Sequence, residues 1–527
     1  MRVCTRMKGA THFKLLNMKR KVVFKRYEQN QPMLLPPSYE DLVPENHPVR
    51  IVNEIIDRID IGELEKTYKG GGTSSYHPRM LLKVVVYAYL RNMYSSRKIE
   101  DALKENVHFM WLSGGAKPDH NTINDFRSKR LRDHLKKIFN QVVILLCEEG
   151  AISLREIVLD GTKIEANANR YTFVWGRAIK TSRERIERQL RDLWKYVEEV
   201  YQDEEQRPNT PEFEAIDADA VSRTIDQINE ALKEKDIDPK VRQKLTYAKK
   251  NWPEKLKEYD EREKQLAGRS SLSKTDPDAT FMRMKEDHML NGQLKPGYNV
   301  QASTEKQYIV DYTLGQTTTD TNLMKGHLDD FIASYGLAPE NLTADAGYGS
   351  EENYLYLEEL GITAFVKYNY FDKEQKETKS PRNPFHPDNL HYNEKTDTYT
   401  CPIGQQMKYI GDKITRRPSG YLQTHRRYQA QNCTGCPLRG PCHKARGDRI
   451  IERSSHLVRC KQHVRELLNS EEGIEKRKQR WQVEAVFANI KQNKGFRRFN
   501  LRGIDKTTTE FGLIALAHNI QKFSTNH

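Results

Sequence analysis

Between positions 46 and 150 the apolar residues recur every three to four places. In RIVNEIIDRIDIGELEKTY they fall at Ile51, Ile55, Ile56 and Ile59, the spacing of one buried helix face. The next run, HPRMLLKVVVYAYLRNMY, opens on Pro78, whose fixed φ suits a first helical turn. The KGGGTSS before it reads as a loop. Ser95 and Ser96 stand where RKIEDALKENVHFMWL needs a cap, and Asp119 or Asn121 where INDFRSKRLRDHLKKIFNQVVILLCEEG begins. That last helix is basic, with Arg127, Lys129, Arg130, Arg132, Lys136 and Lys137. Short helices joined by tight turns predict an all-helical domain over 46–150, compatible with helix-turn-helix-like DNA binding. A solvated basic helix face would give the same pattern.

After position 150 the period shortens. EIVLDGTKIEANA holds a short apolar strand that Asp160 ends, followed by Gly161. From 179 to 270 the chain is dense in Glu, Lys, Arg and Gln, and two long helical stretches flank a loop near Pro208 and Pro211. That pattern predicts an antiparallel helical hairpin whose charge is mostly solvated face. GYNVQAST and YIVDYTLGQ, separated by EKQ, read as a β-hairpin. A helix follows in TNLMKGHLDDFIASYG. NLTADAGYG is then a strand ending on Asp345, among Ala346, Gly347 and Gly349. SEENYLYLEELG, capped by Ser350, is a helix and ITAFVKY a strand. An α/β core is thus expected in two parts, 151–178 and 271–368, around the hairpin insertion. A second insertion at 369–466 separates it from the helices of 467–527. DPDATFMRMKEDH, with Asp276, Asp278, Asp287 and His288, invites a metal reading but fits better as a loop leading into the second strand. Positions 1–45 read as a basic, partly disordered arm. MKRKVVFKRYEQ from Met18 is a natural-looking start, so the first 17 residues read as an over-long gene call or part of that arm.

The 527 residues suffice for two to four domains and at least one sizeable core. Mean hydropathy is −0.83 and 30% of residues are charged, so the chain is polar overall. A net charge of +14 favours a polyanionic partner, most often nucleic acid. The longest apolar runs, such as VVVYAYL, are far short of the ~20 residues a membrane span needs. The basic N-terminus lacks a signal-peptide apolar stretch. A cytoplasmic, nucleoid-associated protein is the expectation, and seven cysteines there argue against a disulfide framework. Cys4, Cys147 and Cys460 look incidental. Cys401, Cys433, Cys436 and Cys442 cluster as CPIG and CTGCPLRGPC, a set that suits tetrahedral Zn²⁺, with His443 as a possible substitute ligand. Reduced, metal-free cysteines in a small β insertion are the alternative.

The last informative stretch is KRKQRWQVEAVFANIKQNKGFRRFNLRG. It begins as a helix with apolar positions Val483, Val486, Phe487 and Ile490. Arg480, Glu484 and Lys491 share one face of it at ~3.6 residues per turn. That face carries one carboxylate between two cations, beside the apolar stripe. A carboxylate so near the buried side is costly unless it is paired or binds metal, although Arg480 and Glu484 also suit an ordinary i,i+4 ion pair.

These residues carry a resemblance. A strand ending in LDGT, a strand ending in ADAGY and a late helix with R-x(3)-E-x(6)-K are similar to the Asp-Asp-Glu (DDE) transposases of bacterial insertion sequences. The helix resembles the branch with a Tyr-x(2)-Arg-x(3)-Glu-x(6)-Lys signature, with Arg477 where that signature has tyrosine. The resemblance runs from about His47 to the C-terminus, and PDHNTINDFR resembles the helical domain before the catalytic core of such enzymes.

The resemblance implies a ribonuclease H-like mixed five-stranded sheet flanked by helices. It implies Asp160, Asp345 and Glu484 as ligands of two Mg²⁺ (or Mn²⁺) ions, with Asp160 shared between them. Hard oxygen donors suit those ions, and a metal pair suits in-line displacement at phosphorus. It also implies Arg480 and Lys491 as phosphate contacts, with Arg497, Arg498 and Arg502 extending the basic track and Arg127, Lys129 and Arg130 reading DNA from the helical domain. Trp481 could stack on a base but reads better as a core or shielding residue. The implied partners are double-stranded DNA (inverted-repeat ends and target) and a second copy of the chain in a synaptic dimer. A nuclease without strand transfer and a non-catalytic repressor derived from a transposase are the competing readings.

Overall fold

The computed structural model describes residues 38–68, 74–202, 217–284, 292–375 and 383–526. Its central sheet holds β1 (Glu156–Glu165), β2 (Leu294–Glu305), β3 (Tyr308–Gly315), β4 (Asn341–Ala344) and β5 (Thr363–Val366). The order is β3-β2-β1-β4-β5. β2 runs antiparallel between β1 and β3, while β1, β4 and β5 run parallel. This is the expected ribonuclease H-like α/β arrangement. A short sixth strand, Thr280–Arg283, pairs with the first residues of β2, before β3 begins. The β2–β3 turn is tighter than EKQ suggests: Lys306 and Gln307 form it alone, both at positive φ (48° and 66°), which matches the strand twist.

Three sequence expectations are corrected here. β1 does not stop at Asp160 but runs on to Glu165, because β2 pairs with it as far as Gly297. The basic helix of the N-terminal region is broken. His120–Asp125 passes into a π-helical turn, Phe126–Arg130, and a separate helix resumes at Leu135–Glu148. The charged insertion is a three-helix unit and not a hairpin: Gly176–Val200, Ala218–Ala231 and Pro239–Leu266. The middle helix repeats apolar residues at Val221, Ile225 and Ile228, which close a core of their own with Leu190, Trp194 and Trp252.

The helices of 46–150 have no core separate from the sheet. Val49, Leu82 and Phe139 belong to one continuous apolar cluster with Leu342 and Phe365 of the sheet and Leu513 and Leu516 of the terminal helix, Ile504–Asn526. That helix is buried all along Phe511–Ala517, and the missing side chain of Gly512 admits the Tyr312 hydroxyl, as a helix packed on several sides requires.

The second insertion is a five-stranded antiparallel sheet, His391–Asn393, Thr398–Thr400, Gln406–Arg416, Leu422–Ala430 and Ile450–Arg453, neighbours in that order. The helix that follows, Ser455–Asn469, buries Cys460, Val464 and Leu468 in the main core. The insertion therefore closes at its last strand, short of the expected 466. Asp276 and Asp278 act in loop structure. Asp276 accepts from Tyr298 Oη (2.8 Å) and Asp278 from the Ile504 amide (2.9 Å). Asp287, His288, Cys4 and the arm before residue 38 lie outside the described residues.

Candidate active site

β1 and β4 pair in parallel with Val158 beside Thr343 and Leu159 beside Ala344. One step further in the same register, Asp160 meets Asp345, the first residue beyond β4. Parallel neighbours share a face and lie about 4.8 Å apart, so two carboxylates 185 positions apart in the chain stand side by side. Asp160 is 4% exposed and accepts its own neighbour's amide, Gly161 N, at 2.8 Å. Asp345 accepts Gly347 N at 2.8 Å, which folds the ADAG turn back on its carboxylate.

The face that carries Asp160 also carries Val158 and Ala302, since Ala302 is the β2 partner of Asp160. Against these two pack Val483 and Phe487 of the helix Trp481–Ala488. The apolar stripe read from the sequence thus seats the late helix directly over the two aspartates. Arg480, at the junction with the preceding helix Glu471–Gln479, then reaches two acids at once. Its Nη2 lies 2.6 Å from Glu484 Oε1 and its Nη1 3.6 Å from Asp345 Oδ2. The i,i+4 ion pair is therefore present, and the same guanidinium lies near Asp345.

The site holds residues that the sequence did not single out. Tyr348 is fully buried and donates to Gln301 Oε1. Burial first, then the charges of Asp320, Asp160 and Asp345, push its phenol well above the usual value, with Arg480 opposing. It stays a protonated donor. Asp320 accepts from Asn299 Nδ2 (2.7 Å) and Gln301 Nε2 (3.1 Å). In QTTTDTN nothing distinguishes this aspartate from a loop residue; only its fold neighbours do. Gly349 serves the protein's own packing: a Cβ there would run into Lys367 O and Tyr368 Cα.

The donor set fits divalent cations of the Mg²⁺ type, all carboxylate oxygens on or next to rigid elements. Among the described residues no three of His, Cys, Asp and Glu stand in a ready ligating array. Arg480 engages two of the three acids instead.

Residues 400–524 match the family model described as Transposase DDE domain, and residues 37–129 match Transposase domain (DUF772). The two matches support an insertion-sequence DDE transposase. The first match includes Glu484 and the second includes Arg127, Lys129 and part of the helical region, while Asp160 and Asp345 lie between the two. No curated protein and no solved structure matches the chain.

The transposase places its basic residues unequally. Arg497, Arg498 and Arg502 are exposed beside the end of β1, where Glu165 N donates to Arg497 O and Phe499 N to Glu165 O. Lys129 is exposed and paired with Asp125 (2.8 Å); Arg130 is exposed and lies over the Tyr68 ring. Arg127 is a correction. It is 3% exposed and donates inward to Tyr89 Oη (3.0 Å) and Tyr94 O (2.6 Å). Lys491 is 6% exposed, within a π-helical turn, Asn489–Asn493. The wider turn rotates it off the face that a regular helix would share with Glu484. Trp481 is 56% exposed, which corrects the core reading and leaves its ring available one turn from Glu484.

Cys401, Cys433, Cys436 and Cys442 converge on one small apolar pocket with Arg449. The amides of Gln405 and Arg449 point at Cys401 Sγ (3.3 Å) and Cys433 Sγ (3.4 Å), and Arg449 Nη1 at Cys442 Sγ (3.1 Å). Both ring nitrogens of His443 are buried without a hydrogen bond.

Proposed function

We propose that this transposase binds the terminal inverted repeats of its own element and cuts and joins DNA through Asp160, Asp345 and Glu484. The observation that carries the reading is the β1–β4 register, which brings Asp160 and Asp345 together under the helix that bears Glu484. A pair of Mg²⁺ ions, when bound, would polarise the scissile phosphate and activate the attacking oxygen. The chain's own residues do the rest. Asp160, buried and central, would be the shared ligand; Asp345 and Glu484 would each serve one ion. Arg480 neutralises the acids in the free protein and would turn to a DNA phosphate, for which its planar fork is suited. Arg497, Arg498, Arg502, Lys129 and Arg130 would hold backbone phosphates, which fix position without reading sequence. Trp481 would stack on an exposed base. Arg127 and Lys491 belong to the packing of the helices. Two ends must be synapsed, so a dimer acting on nucleoid DNA in the cytoplasm completes the reading. Among the described residues no helix is long and apolar enough to cross a membrane.

The test is incubation of the full chain with a labelled duplex ending in the element's terminal repeat. Nicking and strand transfer with Mg²⁺ and none with EDTA are expected. Binding without cleavage in either condition would leave the repressor reading in place, and cleavage without joining the nuclease reading.

For the insertion we propose that the four thiols form a structural Zn²⁺ site, because they share one pocket with N–H donors aimed at three of them. Elemental analysis should find one zinc per chain, lost in Cys433→Ser. Zinc-free native protein would make the pocket an ordinary thiol-lined core.

A further inference from the structure

The far face of β2 carries a polar device that the triad alone does not account for. Asn299, Gln301 and Ser303 alternate along the strand and are fully buried. They lie on the side of the sheet opposite Asp160, because Gly161 pairs with Gln301 and Asp160 with Ala302. Buried carboxamides are costly unless satisfied, and here two of them converge on a single carboxylate oxygen, Asp320 Oδ1. Gln301 is itself fixed by Tyr348 Oη. Gly161 permits this approach: a Cβ there would lie 2.5 Å from both Asp320 Oδ1 and Gln301 Nε2.

The other oxygen lies near the Asp345 turn. A Cβ on Gly347 would stand 3.6 Å from Asp320 Oδ2 and 2.9 Å from Asp345 Oδ1, so the two carboxylates come near one point. Their loops are stitched together. Thr321 Oγ1 donates to Gly347 O (2.6 Å), and Asn353 Nδ2 donates to both Thr321 O (3.0 Å) and Tyr348 O (2.8 Å). Like charges held close repel one another, and the guanidinium of Arg480 approaches Asp345 only to 3.6 Å. A fold that spends two buried amides and a glycine on holding a fourth carboxylate beside Asp345 points to a cation as the thing it meets.

We infer that Asp320 is a positioning carboxylate of the active site: Asn299 and Gln301 fix it so that Oδ2 serves, beside Asp345, as an outer-shell acceptor for a divalent cation. The inference rests on the triad reading above. Mg²⁺ and Mn²⁺ keep several waters when protein-bound, and the acceptors around such waters tune affinity strongly.

Calorimetric titration of the full chain with Mn²⁺, paired with melting in EDTA, tests it. Asp320→Asn is nearly isosteric and can still accept from both amides through its remaining oxygen. It should weaken Mn²⁺ binding about 10- to 100-fold, the range for outer-shell groups. Its melting temperature in EDTA should be unchanged or raised, since one charge leaves an acidic cluster. Thr321→Ala, which loosens the stitch but removes no charge, should bind Mn²⁺ like the native chain. Native affinity in Asp320→Asn, with affinity lost in Asp345→Asn, overturns the inference. So does native affinity with a lowered EDTA melting temperature, which would make Asp320 structural. Native affinity in Asp345→Asn as well would sink the triad reading, and this inference with it.

Discussion

Asp160→Asn and Asp345→Asn are expected to lower cleavage of a terminal-repeat duplex at least about a thousandfold, some 4 kcal/mol of barrier, while binding to that duplex stays native or tightens. The two effects separate because the carboxylates do different work on charge. Holding cations over a reacting phosphate is worth several kcal/mol of transition-state stabilisation, and an amide of the same shape cannot supply it. Towards DNA alone the same acids are repulsive. Arg480→Ala should behave oppositely. It frees Asp345 and Glu484 from their guanidinium partner but removes a phosphate contact, so duplex binding should weaken and become less salt-dependent by about one unit of slope. Filter binding at several salt concentrations and single-turnover cleavage would read both. Native cleavage by Asp345→Asn would mean that the paired aspartates are structural and the chemistry lies elsewhere.

Arg127→Met should cost about 3 kcal/mol of stability, the lower end for stripping a buried charge of its partner, although the residue looks like part of a DNA-facing basic helix. Glu510 in the terminal helix is fully buried. It accepts from Asn500 N and Leu501 N (2.9 Å each), from Asn500 Nδ2 (2.9 Å) and from Tyr89 Oη (3.4 Å), and Tyr89 in turn accepts from Arg127. Burial raises the Glu510 carboxyl above its ordinary pKa, and Arg127 is the leading influence that opposes it. Without Arg127 that carboxylate loses the positive charge that leads the opposition to its burial. Glu510→Gln in the same chain should recover much of the loss, a coupling that a double-mutant cycle measures directly. Urea unfolding of the four proteins decides it. Additive losses would mean that the Arg127–Tyr89–Glu510 chain carries no shared energy. DNA binding should change little in Arg127→Met where the protein is folded, and that separates a packing arginine from a phosphate-binding one.

The transposase shows why some parts of its site were legible in the chain and others were not. Asp160 and Asp345 each follow an apolar run and precede a small residue, a local pattern that one stretch of sequence can display. Val483, Val486, Phe487 and Ile490 mark a buried helix stripe, and Glu484 follows from them by counting. Asp320 has no such marker. Its surroundings come from Asn299, Gln301, Gly161 and Gly347, on three different segments. The basic residues misled for a related reason. Helical spacing places Arg127 and Lys491 on outward faces only if the helix stays regular, and both sit in π-helical turns, where one extra residue shifts the face. The middle helix of the charged insertion was hidden by composition, because a run of Glu, Lys and Arg masks a stripe as thin as Val221, Ile225 and Ile228.

By itself the sequence determined the kinds and order of the core elements, the two aspartates of the core strands, the late glutamate helix, the two insertions and the basic charge that calls for a polyanion. These follow from local periodicity and from residue types with narrow conformational or chemical uses. The tertiary structure alone decided which carboxylates meet. Strand register, the face on which a helix lands and the partner of each buried charge are set by contacts between segments hundreds of residues apart. No single segment carries the free energy that selects them.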